Sequence, residues 1–86
     1  MYSVYVIQHT DSKQVYIGRT NNLRLRLQQH NASRTKSTHR TTGEWVLVYA
    51  EAYRVKEDAV VREARLKQHG RAKQELLKRI ESSQIT

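Results

Sequence analysis

The sequence predicts an α/β (α+β) domain, a small three-stranded, mostly antiparallel sheet covered by helices in the order β-β-α-β-α-α. Three observations carry that expectation. Segments rich in Val, Ile and Tyr are followed by segments with helical spacing of apolar residues. The first two strand-like segments are separated by a short polar stretch. The 86 residues contain no proline, repeat or linker, so they are read as one domain spanning residues 1–86. A chain of this length buries only about 60–65% of the surface its unfolded form exposes. It has room for one modest core, and a site on it should be a shallow cleft suited to a large polymeric ligand.

Tyr2 to Gln8 and Gln14 to Gly18 have strand composition and flank His9 to Lys13, which carries the turn formers Asp11 and Ser12. A hairpin is the simplest reading. Both strands have apolar residues on both faces, a pattern that fits a sheet covered on both sides. After Gly18, Thr20, Asn21 and Asn22 offer an N-cap, and Leu23, Leu27 and His30 fall at helical spacing up to about Asn31. Asn31 to Thr42 is rich in Ser, Thr and Arg, has no hydrophobic period and is read as a loop. Glu44 to Glu51 holds the continuous apolar run Trp45 to Tyr49, a third strand. From Lys56 a helical period runs to Gly70, and Ala72, Leu76, Leu77 and Ile80 repeat it before a polar tail.

Sixteen Lys and Arg against eight Asp and Glu leave a formal charge of +8, which makes a polyanion the natural partner. Nucleic acid is favoured over a membrane, because no stretch joins a long apolar face to a basic one and none approaches the ~20 apolar residues of a spanning helix. The apolar start, Met1 to Ile7, is short, alternating and without a basic leader, so no secretory signal is read there. The absence of cysteine excludes disulfides, thiolate zinc sites and cysteine nucleophiles. A cytoplasmic location is the matching expectation.

Four groups of residues could carry chemistry. A hairpin symmetric about the Thr10–Asp11 bond sets Tyr5 across from Tyr16 and Ser3 across from Gly18, so that two phenols line one edge and a phosphate could approach over Gly18. Facing tyrosines also commonly do no more than pack. Arg26 and His30, four apart, leave the same helix face; a guanidinium fork matches phosphate oxygens and an imidazole exchanges protons near neutral pH. Such a face can equally be solvated, although these two flank Leu27, a core candidate. Glu63 lies beside Ala59, Val60 and Leu66, where a carboxylate wants a partner. That partner could be a divalent ion, or simply Lys67 or Arg62 in an ion pair. Glu51, Glu57, Asp58, Glu75 and Glu81 read as peripheral. Finally, Arg19, Arg24, Arg34, Lys36, His39 and Arg40 could track a phosphate backbone, with the Asn31 to Thr42 loop as a clamp. Trp45 could stack on a base, but as the opening residue of a strand it is read as core.

Together these positions resemble the GIY-YIG nuclease domains. Tyr16, Ile17 and Gly18 form the second signature triplet intact, and Ser3, Val4 and Tyr5 stand for the first, with Tyr5 eleven residues before Tyr16. Arg26 lies eight residues beyond Gly18, as the family's arginine does, and His30 follows four later. The segment Ala59 to Lys67 presents Glu63 where the family carries its metal-binding glutamate. The resemblance covers nearly the whole chain, and the Arg71 to Leu77 segment is similar to the ending of small single-domain members. Ser3 replaces the usual glycine, and no obvious late asparagine is present.

The resemblance implies an endonuclease that hydrolyses DNA phosphodiester bonds with one Mg²⁺ or Mn²⁺ held by Glu63, structure-selective or weakly specific in its cutting. It further implies that Arg26 stabilises the transition state, that Tyr16 takes the proton from water directly or by relay to His30, and that Tyr5 orients water or phosphate. DNA ranks ahead of RNA as the partner, and a protein could supply targeting, since no second domain fits in this length. The rival readings are a non-catalytic nucleic-acid-binding module that keeps the fold and an accessory protein docking on an acidic assembly such as a ribosome or a repair complex.

Overall fold

The computed structural model describes residues 1–37 and 43–85, and the side chains of residues 1–32 and 43–85. Strands β1 (Tyr2–His9), β2 (Val15–Thr20) and β3 (Trp45–Tyr53) form one sheet in the order β2-β1-β3, antiparallel throughout. Helices α1 (Leu23–Ser37), α2 (Lys56–Gln68) and α3 (Gly70–Arg79) follow in the expected sequence, and a short 3₁₀ turn covers Glu81–Ser83.

The central strand is the most apolar, and Val4 to His9 are buried. Alternation along the pleat sends Val4 and Val6 to one face and Tyr5, Ile7 and His9 to the other. The first face holds the main core, where Val4, Val6 and Ile17 pack against Ala59 and Leu66 of α2, Leu76 of α3, and Ile80. On the second face α1 approaches the tyrosines, while Leu47, Ala50 and Ala52 of β3 stay exposed. That face is therefore only partly covered. Behind the core, the buried Gln8 carboxamide bonds the backbone of Ile85 in both directions and ties down the end of the chain.

The hairpin register differs from the expected one by two residues. Tyr5 pairs with Gly18, Ile7 with Tyr16 and Ser3 with Thr20. The cause lies in the turn, where Lys13 adopts φ 64° and shares His9 with Gln14. His9 N–H donates to Gln14 O at 2.9 Å and Lys13 N–H to His9 O at 3.0 Å, a bulge that moves the turn's centre toward β2. The His9 ring organises the turn, its Nδ1 accepting from the Asp11 and Ser12 amides at 3.2 and 3.3 Å. A two-residue shift preserves facing, so Tyr5 and Tyr16 remain on one face as diagonal neighbours.

Helix α1 begins where expected, with Asn22 Oδ1 accepting from Leu25 N–H at 3.1 Å as an N-cap. It continues past Asn31 to Ser37, through a stretch expected to be loop. No proline or glycine interrupts it, and Ala32, Arg34 and Lys36 are good helix formers. Asn31, a weak helix former, spends its side chain elsewhere: its carboxamide accepts from Trp45 N–H at 2.8 Å and donates to Trp45 O at 3.1 Å. The helix is thereby stitched to the start of β3. Of the residues expected to hold a phosphate backbone, Arg34 and Lys36 lie on this last stretch of α1, their side chains outside those described; His39 and Arg40 lie outside the described residues.

Candidate functional site

Tyr5 and Tyr16 come from the central and edge strands, and α1 lays His30 against both. Their ring centroids are 6.3 Å apart, and His30 stands 6.0 Å from Tyr5 and 4.8 Å from Tyr16, edge-on to each. Trp45 closes the cluster, 6.3 Å from His30, 6.5 Å from Tyr16 and 5.3 Å from His9. It is half-buried and belongs to the site's wall, not to the main core.

The space over Gly18 is already filled. A Cβ there would overlap the Tyr5 hydroxyl and lie 2.9 Å from Tyr16 Cε1. The signature glycine thus makes room for the first tyrosine, and the expected phosphate approach over Gly18 is replaced by the Tyr5 ring. The Tyr5 side chain is 1% exposed, whereas Tyr16 is half-buried and meets solvent.

The hydrogen bond in this cluster joins Tyr5 Oη to His30 Nε2 at 2.9 Å. Burial, and secondarily the Arg26 charge, hold the His30 pKa below its ordinary value, so the imidazole is neutral at pH 7. Burial raises the Tyr5 pKa, with the neighbouring Tyr16 adding to the effect, and Arg26 opposes the rise without cancelling it. The phenol is therefore protonated and paired with a neutral imidazole, the imidazole tautomer setting which of the two donates. Arg26, half-buried at the mouth, is itself held more firmly charged by Tyr5 first and Tyr16 next. Its Nη1 donates to Gln29 Oε1 at 3.2 Å, and the guanidinium also faces both phenols.

Glu63 reaches the site from the other side of β2. Its Oε1 accepts from Arg19 Nε at 3.2 Å and its Oε2 lies 3.2 Å from Lys67 Nζ. Lys67 in turn places its ammonium 5.6 Å from the Tyr16 ring centroid, bridging carboxylate and phenol. The Glu63 charge extends to Tyr5, where it contributes to the raised pKa. Arg62, the other partner considered for Glu63, turns to β3 and donates to Glu51 Oε1 at 2.7 Å. Consecutive residues of α2 thus grip opposite edge strands, and both strand partners sit beside Val4 in the ladder. Arg19, expected on a phosphate backbone, is engaged with Glu63, while Arg24 is exposed.

Among the described residues no three His, Asp or Glu side chains cluster as metal ligands. The donor at hand is a single carboxylate, 20% exposed, which already attracts two cations. Such a donor fits Mg²⁺ or Mn²⁺, ions commonly held by one or two carboxylates with waters and substrate oxygens completing the shell.

Sequence reasoning missed three features. Lys67 was expected only as an ion-pair partner, yet it links Glu63 to Tyr16. Asn31 holds Trp45 in place; a weak helix former directly after His30 was the available signal. Glu51 is not peripheral: it accepts from Tyr49 at 2.6 Å, from Tyr53 and from Arg62. Tyr49, Glu51 and Tyr53 alternate along β3 and so share one face, a pattern visible in the sequence.

No curated protein and no solved structure matches the chain. The family model of the GIY-YIG catalytic domain matches residues 1–76, which span both tyrosines, Arg26, His30, Glu63 and Lys67. With that match over most of its length and its tyrosines, arginine and histidine gathered at one place, the chain belongs to the GIY-YIG family of nuclease domains.

Proposed function

We propose that the chain is a divalent-metal-dependent endonuclease acting on DNA, selective for structure more than for sequence, in a cytoplasmic setting. The observation that carries this reading is the Tyr5 Oη to His30 Nε2 hydrogen bond beside a charged Arg26. It offers a proton path. An attacking water gives its proton to neutral His30, which Tyr5 positions through that hydrogen bond, either directly or through Tyr16, the phenol that meets solvent, so no free phenolate is needed near pH 7. The water oxygen bonds to phosphorus and the bond to the 3′ oxygen breaks, leaving a 5′-phosphate and a 3′-hydroxyl that takes its proton from solvent.

The family resemblance implies that Tyr16 takes the proton from water directly or by relay to His30. The hydrogen bond to His30 is made by Tyr5, while Tyr16, half-buried, is the phenol that meets solvent and so the one able to reach the water. Arg26 would turn its guanidinium to the phosphate oxygens and stabilise charge as it develops. Glu63 would hold Mg²⁺ or Mn²⁺, which when bound neutralises charge on a phosphate oxygen and on the leaving oxygen.

The +8 charge supports a polyanionic partner, and charge of this kind addresses backbone phosphates without reading base edges. Weak sequence preference is what such contacts give. The reading is tested by incubating the protein with branched, nicked, single-stranded and duplex DNA in Mg²⁺ or Mn²⁺. Metal-dependent cutting is expected from the wild type and not from Arg26→Ala or Glu63→Ala; cutting that survives both substitutions would remove this site from consideration.

A further inference from the structure

We infer that Lys67 is an internal counter-cation that keeps a divalent ion off Glu63 until a nucleic-acid phosphate draws it away, so that metal and substrate bind cooperatively. The inference rests on the reading of Glu63 as the metal ligand and adds an order of events to it.

Both carboxylate oxygens of Glu63 carry a cation, Arg19 Nε on Oε1 and Lys67 Nζ on Oε2, each at 3.2 Å. A divalent ion and an ammonium cannot share one oxygen without strong repulsion at such distances. One of the two must leave. Lys67 is the more exposed, with 47% of its side chain in solvent against 34% for Arg19. Its four-carbon stem carries a point charge that needs no fixed geometry, unlike the guanidinium fork. It also has somewhere to go. The ammonium already lies over the Tyr16 ring, and Lys67 lines a shallow cleft of about 210 Å³ with Tyr16, Val15, Ile17, Leu66 and Lys73.

A phosphodiester entering beside Tyr16 supplies the anion that Lys67 now finds in Glu63. Exchange of partners vacates Oε2 while the ammonium stays within the site, paired with the substrate. Metal binding is therefore opposed in the free protein and favoured in the complex. Linkage makes the effect reciprocal: whatever factor substrate adds to metal affinity, metal adds to substrate affinity.

The test reads metal occupancy directly, by electron paramagnetic resonance of free Mn²⁺ titrated with protein in the absence of nucleic acid. Lys67→Met is expected to bind Mn²⁺ about tenfold more tightly than the wild type, within the ordinary range of such couplings. Lys78→Met, which removes the same charge from the end of α3, should bind as the wild type does. In a His30→Ala background, which removes the proposed proton acceptor, Mn²⁺ should strengthen binding of a labelled DNA measured by anisotropy, and Lys67→Met should shrink that enhancement. If Glu63→Gln abolishes Mn²⁺ binding while Lys67→Met stays within twofold of the wild type, the gate is wrong and the ligand assignment stands. If Mn²⁺ binding is unchanged in Glu63→Gln, both are overturned.

Discussion

The Tyr5 phenol lies directly against the Cα of Gly18, its cross-strand partner, so closely that a methyl group at position 18 would occupy the place of the hydroxyl. Two residues of the signature are thus one steric unit. The first tyrosine can point at His30 because the last residue of the second triplet has no side chain.

Gly18→Ala should therefore displace Tyr5 and break its bond to His30. Overpacking of this kind costs about 1–3 kcal/mol. Chemical denaturation is expected to show that loss, together with cleavage reduced toward the level of Tyr5→Phe. An alanine variant as stable and active as the wild type would contradict the packing described.

His30 acts while neutral, and its pKa is held below the ordinary histidine value of 6.5 by burial and by Arg26. The folded protein resists protonating it, so activity should decline at a lower pH than an ordinary histidine would dictate. The stability contribution has the same sign: present above 6.5 and lost as pH falls through the folded pKa, because the unfolded chain binds the proton more readily. A pH profile of kcat/KM checks this, and His30→Ala should remove the acid limb along with most of the rate.

Arg26 interacts with both phenols. Arg26→Ala should lower kcat by about 10²- to 10³-fold, the cost of losing one preorganised group at a developing charge. Arg26→Lys should restore little of it, since an ammonium keeps the charge and loses the fork. Steady-state kinetics with a branched DNA separates the two variants.

Glu51 anchors the far side of the sheet. Burial pushes its pKa up, but the hydrogen bonds from Tyr49, Tyr53 and Arg62 outweigh burial and hold it below 4.5. Its stabilisation is present above about that pH and fades as pH falls through the folded pKa. Replacing it by Gln should cost about 2 kcal/mol in a urea melt near neutral pH, since a charge-assisted set becomes a neutral one. Tyr53, pushed up to about 12 by burial and by Glu51, should ionise late in a phenolate absorbance titration of the folded protein. The stabilisation tied to it is complete below pH 10 and is lost as pH rises through about 12.

Much of this molecule is legible in its sequence. Val/Ile/Tyr-rich runs and helical spacing marked all six principal elements, because burial selects those patterns directly. Tyr5, Tyr16, Arg26, His30 and Glu63 were marked by residue type and by spacing. What escaped depends on contacts remote in sequence or on one backbone angle. Lys13 at positive φ moved the register by two residues, and nothing in a lysine announces that conformation. Asn31 read as the end of a helix because its reward is a bond to Trp45, fourteen residues away. Glu63 could be placed beside Lys67 from helical spacing, but Arg19 lies forty-four residues distant and appears only once α2 crosses the sheet.

The most direct test of the metal-dependent nuclease is the single-turnover cleavage rate of a branched DNA in Mn²⁺, with the wild type and Glu63→Gln measured side by side. The expected result is cleavage by the wild type that disappears on chelation and falls at least about 10²-fold in Glu63→Gln, with DNA binding retained. Equal rates for the two proteins, or salt-sensitive binding without cutting by either, would contradict it.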